Sequence, residues 1–430
     1  MKAYRLRQEI NGITEPPGKT WFFELEAAVV DADRCIQCGT CVAACPSNSL
    51  GVNADSGLPE LIKMCTGCSL CWDFCPRGGL RYEALWPPST AIPGVSGEDA
   101  ADTGSGASEV ERHDAADTYW KITGGPPGDG LGAVLSAYAV RAGARPDGAQ
   151  DGGAVSAILL AALASGEIDG ALVTRPSADP DEPWKGVAHL ATTPAEIIES
   201  AGSFYNQTMA LAALDLSRYN LPAKPRIAVV GTPCEIQGIR AMQARRWSTG
   251  AHRVDAVVLT IAVLCTKSFD YRGLMLELLE RDRGIDLARV SKVDVIRGRM
   301  IVEYRDGSMA VDEPIKDFHG AALKGCDECA DFIGRSADIS VGSVGSMDGW
   351  SSVLVRTERG RRALDGARSR LDMKDLDSVE ALLKLDAFDK RVAYKSLRRQ
   401  YDPDAPLFME YAEHVANYDD TDRAPVIPQR

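Results

Sequence analysis

The chain has 430 residues, 45% hydrophobic and 25% charged, which is enough for two or three domains with ordinary cores. Its 61 acidic residues outnumber 48 basic ones for a net charge of −13, a balance that argues against phosphate-backbone binding and so against a nucleic-acid partner. No window approaches about 18 uninterrupted apolar residues, and Met1-Lys2-Ala3-Tyr4-Arg5 leads into polar sequence instead of a signal-peptide core. The expected location is therefore cytoplasmic, with a peripheral place on a membrane complex left open.

Residues 1–30 hold a short aromatic run, Trp21-Phe22-Phe23, which reads as a lead-in that packs over the cysteine-rich stretch beyond it. Cys35-Ile-Gln-Cys38-Gly-Thr-Cys41-Val-Ala-Ala-Cys45-Pro46 then repeats as Cys65-Thr-Gly-Cys68-Ser-Leu-Cys71-Trp-Asp-Phe-Cys75-Pro76. Three cysteines two residues apart can wrap a cubane, while the distant fourth, stiffened by proline, ligates the other cluster. Cys35, Cys38, Cys41 and Cys75 are thus expected around one 4Fe-4S cluster, and Cys65, Cys68, Cys71 and Cys45 around a second. Zinc ribbons instead use two CxxC pairs separated by a long gap, not triple runs ending in Cys-Pro. This spacing predicts a ferredoxin-type domain over residues 1–86, through which electrons pass. Eight of the 12 cysteines are then thiolate ligands, which fits a reducing compartment and not a disulfide framework.

After Trp86 come Pro87-Pro88 and a stretch from Gly94 to Asp117 rich in Gly, Ala, Ser, Asp and Glu, too poor in large apolar side chains to offset its ordering entropy. Residues 87–118 read as a tether. A second domain is expected over 119–390 and a polar tail over 391–430. Asp151-Gly152-Gly153-Ala154-Val155-Ser156 reads as a glycine-rich turn opening a helix, whose free N–H groups could meet a phosphate. Apolar runs at 171–174, 227–231, 257–263 and 339–341, interleaved with helical sequence such as 269–281, predict an α/β domain. Asp306-Gly307 within 293–311 predicts a hairpin, and the pattern from Leu371 onward reads as charged and helical.

Cys234 and Cys265 each follow a predicted strand, and Cys326-Asp-Glu-Cys329 is a CxxC pair. Two cysteines at strand ends can converge at one edge of a sheet and a CxxC loop can close a tetrahedron, so a third cluster, a zinc site and free core cysteines all remain open. The histidines His113, His189, His252, His319 and His414 have no metal spacing. Neither a GxGxxG after a strand nor a Walker A lysine motif occurs, which leaves a Rossmann NAD site unsupported.

From about residue 120 to 390 the chain resembles the beta-subunit family of coenzyme F-420 hydrogenases and dehydrogenases. The resemblance is carried by Gly152-Gly153-Ala154-Val155-Ser156, Pro183-Trp184-Lys185, Ala191-Thr192-Thr193, Ala201-Gly202-Ser203, Gly231-Thr232-Pro233-Cys234, Cys265-Thr-Lys267-Ser-Phe269, Gly325-Cys326-Asp-Glu-Cys329, Ala337-Asp338-Ile339-Ser340-Val-Gly342-Ser-Val-Gly345 and Asp348-Gly349-Trp350. It implies FAD, a 4Fe-4S cluster on Cys234, Cys265, Cys326 and Cys329, and coenzyme F-420 as hydride partner. Carried over by position, Gly152, Gly153, Ser156, Thr232, Pro233, Gly342 and Gly345 form the flavin cradle, and Lys267 faces the flavin or the deazaflavin. Ser156 and Ser203 stand where relatives commonly carry threonine, which keeps the hydroxyl.

Chemistry orders the path. A deazaflavin gives up two electrons as hydride whereas a cubane accepts one, so a flavin must stand between them. The expected route is hydride donor, FAD, the Cys234 set, the two ferredoxin sets and then an electron-transfer protein or complex subunit. The alternative is a ferredoxin-driven reductase in which FAD acts on an organic substrate, and a weaker third reading is an electron-transfer adaptor with no small-molecule substrate. Lys185, Lys267, Lys324 and Arg335 lie beside the motifs and could meet the acidic tail of coenzyme F-420.

Overall fold

The computed structural model describes residues 21–68, 70–77, 131–244 and 253–396. The expected tether over 87–118, the first 20 residues and the tail from 397 lie outside the described residues. Near the N-terminus, helix α1 (Phe22–Leu25) runs on into a π-helical turn, Glu26–Val30, and is followed by α2 (Thr40–Ala44), an antiparallel hairpin of β1 (Leu50–Val52) and β2 (Pro59–Leu61), and α3 (Leu70–Asp73). Phe22 and Leu25 are buried in one cluster with Cys41, Cys45, Cys71, Trp72 and Cys75. The aromatic lead-in is therefore the lid of the cysteine-rich module.

The larger part is an α/β domain. In chain order it contains β3 (Ser136–Ala142), α4 (Ala154–Ser165), β4 (Gly170–Pro176), β5 (Gly186–Ala191), α5 (Pro194–Glu199), β6 (Ile227–Gly231), α6 (Pro233–Ala244) and β7 (Val257–Val263). A separate sheet of β8 (Val290–Ile296), β9 (Arg299–Tyr304) and β10 (Met309–Pro314) precedes β11 (Ile339–Gly342), β12 (Ser351–Val355), α7 (Glu358–Gly366), β13 (Leu371–Asp375) and α8 (Val379–Ser396). The main sheet has eight strands in the order β13-β3-β12-β11-β7-β6-β4-β5. Its centre, β11, β7, β6 and β4, is parallel, and antiparallel strands close both sides.

Parallel strands need both faces covered, and the side-chain alternation of β6 shows how this is met. Ile227 and Val229 point to one face, where they pack with Ile236 and Ile239 of α6. Ala228 points to the other, with Ile158 of α4 and Leu364 of α7. The first face also receives Ala43, Ala44, Leu70 and Phe74, so the cysteine-rich module shares a core with the sheet. A fully buried bidentate pair fastens it further: Arg34 Nε donates to Glu328 Oε1 at 2.8 Å and Nη2 to Oε2 at 2.7 Å. Arg253 Nη1 adds bonds to the carbonyls of Val42 and Ala43 at 3.2 Å.

Several expectations are corrected. The hairpin over 293–311 is a three-stranded antiparallel meander, because Arg297-Gly298 makes a second turn with positive φ at both residues. Leu371–Asp375 is not helical; it is the edge strand beside β3, with Leu371 and Met373 turned toward the core. The boundary at 390/391 falls inside α8, whose buried Leu382, Ala387 and Ala393 keep the helix on the domain to Ser396. Strands β3 and β5 escape sequence reading because alanine, glycine and histidine dilute their β-formers.

Candidate functional site

The cysteines gather in three sets. Cys45, Cys65, Cys68 and Cys71 line one small cavity together with Phe22, Ser47, Ser49, Leu50 and Thr66. The crossing of Cys45 into the second triple follows from the fold: α2 ends at Ala44, so Cys45 swings away from the triple before it. Backbone amides point at these sulfurs, with Ser49 N 3.2 Å from Cys45 Sγ and Gly67 N 3.3 Å from Cys65 Sγ.

Cys35, Cys38, Cys41 and Cys75 form the inner set. Burial raises the Cys41 thiol well above its ordinary value, and Cys38, Cys35 and Cys75, crowded around it, push the same way. Amides of Gln37 and Arg77 approach Cys35 and Cys75 at 3.4 Å, and the Thr40 hydroxyl lies 3.2 Å from Cys38 Sγ.

Cys234 lies in the first turn of α6, Cys265 follows β7, and Cys326 and Cys329 flank the end of a short 3-10 helix, Lys324–Glu328. The bond from Cys265 N to Phe332 O at 3.1 Å and that from Leu264 N to Val341 O at 2.9 Å draw the CxxC loop over the sheet edge. Burial, with the neighbouring Cys329, raises the Cys326 thiol to about 11. This third set touches the inner one, since Ile36, Cys38, Cys234 and Cys326 pack in a single cluster.

The donor chemistry fits cubanes better than single ions. Among the described residues no three His, Cys, Asp or Glu side chains converge tightly enough to hold one metal ion, whereas tetrahedral zinc needs sulfurs at about 2.3 Å from one point. Thiols gathered at partly or fully buried positions are costly to ionise bare, and iron held among them would supply the compensating charge.

The other expected residues lie along the carboxyl edge of the parallel strands. Register sets them in a row: Gly231 beside Ala262 on β7, Val263 beside Val341, Gly342 beside Ser352, and Ser351 beside Val140. Thr232 and Pro233 continue β6 into α6, and Gly345 lies against Ser352. The Gly152-Gly153 turn does open α4, and that helix begins without a side-chain cap. Its glycines answer first to the fold. A Cβ on Gly152 would lie 2.2 Å from Val140 O, and Gly153 holds φ of 70°. Ser156 is buried in the first turns of α4.

The four candidate cations are all in ion pairs. Lys185 pairs with Glu182, Lys267 with Asp327, Lys324 with Asp33, and Arg335 with both Asp331 and Asp386. Arg335 is 5% exposed, so it braces α8 against the 331–335 loop instead of facing a solvent-borne ligand. Sequence reasoning passed over Arg34, Arg77 and Glu328. Their signals were slight: Arg77 directly follows Cys75-Pro76, and Glu328 stands inside the CxxC pair.

Comparison with known proteins agrees with this architecture. Residues 134–215 and 224–379 match the two descriptions "Coenzyme F-420 hydrogenase/dehydrogenase, beta subunit", N-term and C terminus, and residues 28–81 match a 4Fe-4S dicluster domain. An uncharacterised protein of Methanocaldococcus jannaschii is 32% identical over 394 residues, covering 84% of this chain and 95% of its own. A coenzyme F-420-dependent sulfite reductase of the same organism is 28% identical over 87% of this chain, which spans only 52% of that relative. Among solved structures, a chain of the F-420-reducing [NiFe] hydrogenase complex from Methanosarcina barkeri superposes with a TM-score of 0.57 at 27% identity, over 62% of this chain and 92% of that one. With both halves of the α/β domain and the dicluster module matched, the chain belongs to the coenzyme F-420 hydrogenase/dehydrogenase beta-subunit family.

Proposed function

We propose that this protein is an iron–sulfur flavoprotein that exchanges hydride with coenzyme F-420 on FAD and relays single electrons through three 4Fe-4S clusters to a partner subunit or electron-transfer protein. The observation that supports the reading is the shared cluster of Cys38, Cys234 and Cys326, which brings the sheet-edge set up against the inner ferredoxin set. FAD, when bound, supplies the change from two-electron to one-electron chemistry.

The chain's own residues have definite tasks in this reading. Cys234, Cys265, Cys326 and Cys329 would hold the cluster nearest the flavin, the Cys35 set would take the middle position, and the Cys45 set would be the exit toward the partner. The row from Thr232 to Gly152 crosses five strands, about 19 Å at the usual strand spacing, and lies where doubly wound sheets accept dinucleotides. The uncapped N-terminus of α4, with Ser156 in its first turn, would hold the flavin phosphates, and Thr232, Pro233, Gly342 and Gly345 would complete the cradle. Lys267, held by Asp327 beside Cys326, keeps positive charge near the deazaflavin.

Stopped-flow mixing under anaerobic conditions tests the reading. Reduced coenzyme F-420 should bleach the bound flavin, NADH and NADPH should not, and Lys267→Ala should slow the reaction. If NADH bleaches it as fast, or if only reduced ferredoxin with an organic substrate turns over, the F-420 assignment fails and the reductase alternative replaces it.

A further inference from the structure

The guanidinium of Arg77 has no role in ligation or in hydride chemistry, yet it occupies the most consequential position in the relay. Only 2% of the residue is exposed. It is anchored on two sides: Nε donates to Gly325 O at 2.7 Å and Nη1 to Pro76 O at 3.0 Å. Pro76 follows Cys75 of the inner set and Gly325 precedes Cys326 of the third set, so one planar cation bridges the backbones of both. A guanidinium stays charged at any ordinary pH, so the bridge is a permanent cation.

We infer that Arg77 is a positioning residue for electron transfer, a fixed positive charge that raises the reduction potentials of the inner and third clusters together, so that both shift relative to the outer one. The inference rests on the three-cluster reading above. Its physics is simple: an electron added to either cluster makes that cluster more negative, and a buried cation stabilises the added charge strongly because little water screens it. One guanidinium shared by two clusters moves both in the same direction. The outer Cys45 set, whose cavity Arg77 does not line, is left where it was.

The test is an anaerobic potentiometric titration of the full chain, followed by electron paramagnetic resonance, on wild type, Arg77→Gln and Arg77→Lys. Iron analysis comes first and addresses the underlying reading separately: about 12 iron atoms per wild-type chain support three clusters, and about eight remove the third. In Arg77→Gln the reduced-to-oxidised ratio of two clusters at fixed ambient potential should fall about tenfold, which is about 59 mV for a one-electron couple. The outer cluster should stay unmoved, and Arg77→Lys should bring both potentials back toward wild type. Unchanged potentials in Arg77→Gln, or an equal fall in all three, overturn the inference. Should Arg77→Gln fail to load iron, Arg77→Lys decides, because it keeps the charge and alters the hydrogen bonds. Wild-type potentials there support the inference, and a fall of about tenfold in the same ratio shows that hydrogen bonding, not charge, was responsible.

Discussion

Arg34 and Glu328 stand 294 positions apart in the chain, and their pairing has a sharper energetic consequence than any surface ion pair in the molecule. Removing one partner leaves a buried charge without compensation, so Arg34→Ala should lower stability by about 3–5 kcal/mol. Combining Arg34→Met with Glu328→Leu should recover most of that loss, since replacing both charges by apolar groups is often neutral. Anaerobic urea denaturation of single and double variants measures both, and a double variant as unstable as the single would refute the argument. Asp151 behaves in the opposite sense. Burial, Asp294 and Asp348 push its carboxyl up to about 6, despite Lys292 and Arg145 nearby. The folded chain then holds a proton that the unfolded chain has released, so this residue's contribution falls as pH rises from about 4 to 6 and stays low above. Asp151→Asn should therefore be more stable than wild type at pH 7.5, with a smaller advantage at pH 5. Melting temperatures at the two pH values test the sign.

At the level of single elements, the Gly152-Gly153 turn illustrates how a motif can serve the fold and a ligand at once. The sequence pattern correctly announced a helix start, and α4 begins at Ala154. What it did not disclose is that the turn is also packed against the sheet, with Gly152 N donating to Ser351 Oγ at 3.1 Å. A left-handed backbone at Gly153 costs an alanine about 1–2 kcal/mol. Gly153→Ala should consequently lose about that much stability while keeping all its iron, and thermal melting beside iron analysis checks it. Loss of flavin in a bulkier variant such as Gly153→Val would then reflect the turn itself, because a Cβ there already lies 3.0 Å from Arg145 Cγ. Helix α8 carries a similar lesson. Its sequence reads only as charged and helical, but fully buried Leu382 packs with Phe332, Ile333 and Leu354 beneath the loop that holds Cys265. Leu382→Ala should destabilise by about 2–5 kcal/mol and release iron from the third set first.

For the molecule as a whole, the decisive fact is that the cysteine-rich module is not a bead on a string. Phe74, fully buried, enters the same core as Leu172, Ile227 and Ile239, and Gly238 of α6 approaches Thr40 so closely that a Cβ there would lie 2.1 Å from its hydroxyl. Docking of this kind fixes the distance between the inner and third cysteine sets, on which the proposed relay would depend. Gly238→Val should keep the iron of all three proposed clusters yet slow reduction of the two ferredoxin clusters after the flavin is bleached. Stopped-flow traces at flavin and cluster wavelengths resolve the two steps. Equal rates in wild type and variant would show that the interface does not set the pace.

The sequence by itself determined the chemistry of the donors and the class of the scaffold. Twelve cysteines in two triples with proline-linked fourths, two strand ends and one CxxC are a local record, because metal ligation demands residue types at short spacings. Repeated Val- and Ile-rich runs between helices likewise record a parallel sheet. Tertiary structure alone decided that Cys38, Cys234 and Cys326 share one cluster, that four promising cations are already paired, and that Arg77 bridges the backbones beside two cysteine sets. Apart from the local Lys185–Glu182 pair, such facts join residues tens to hundreds of positions apart, and no periodicity or spacing carries them. They arise only when the burial of two faces of one sheet brings α2, α3 and α6 into the same core.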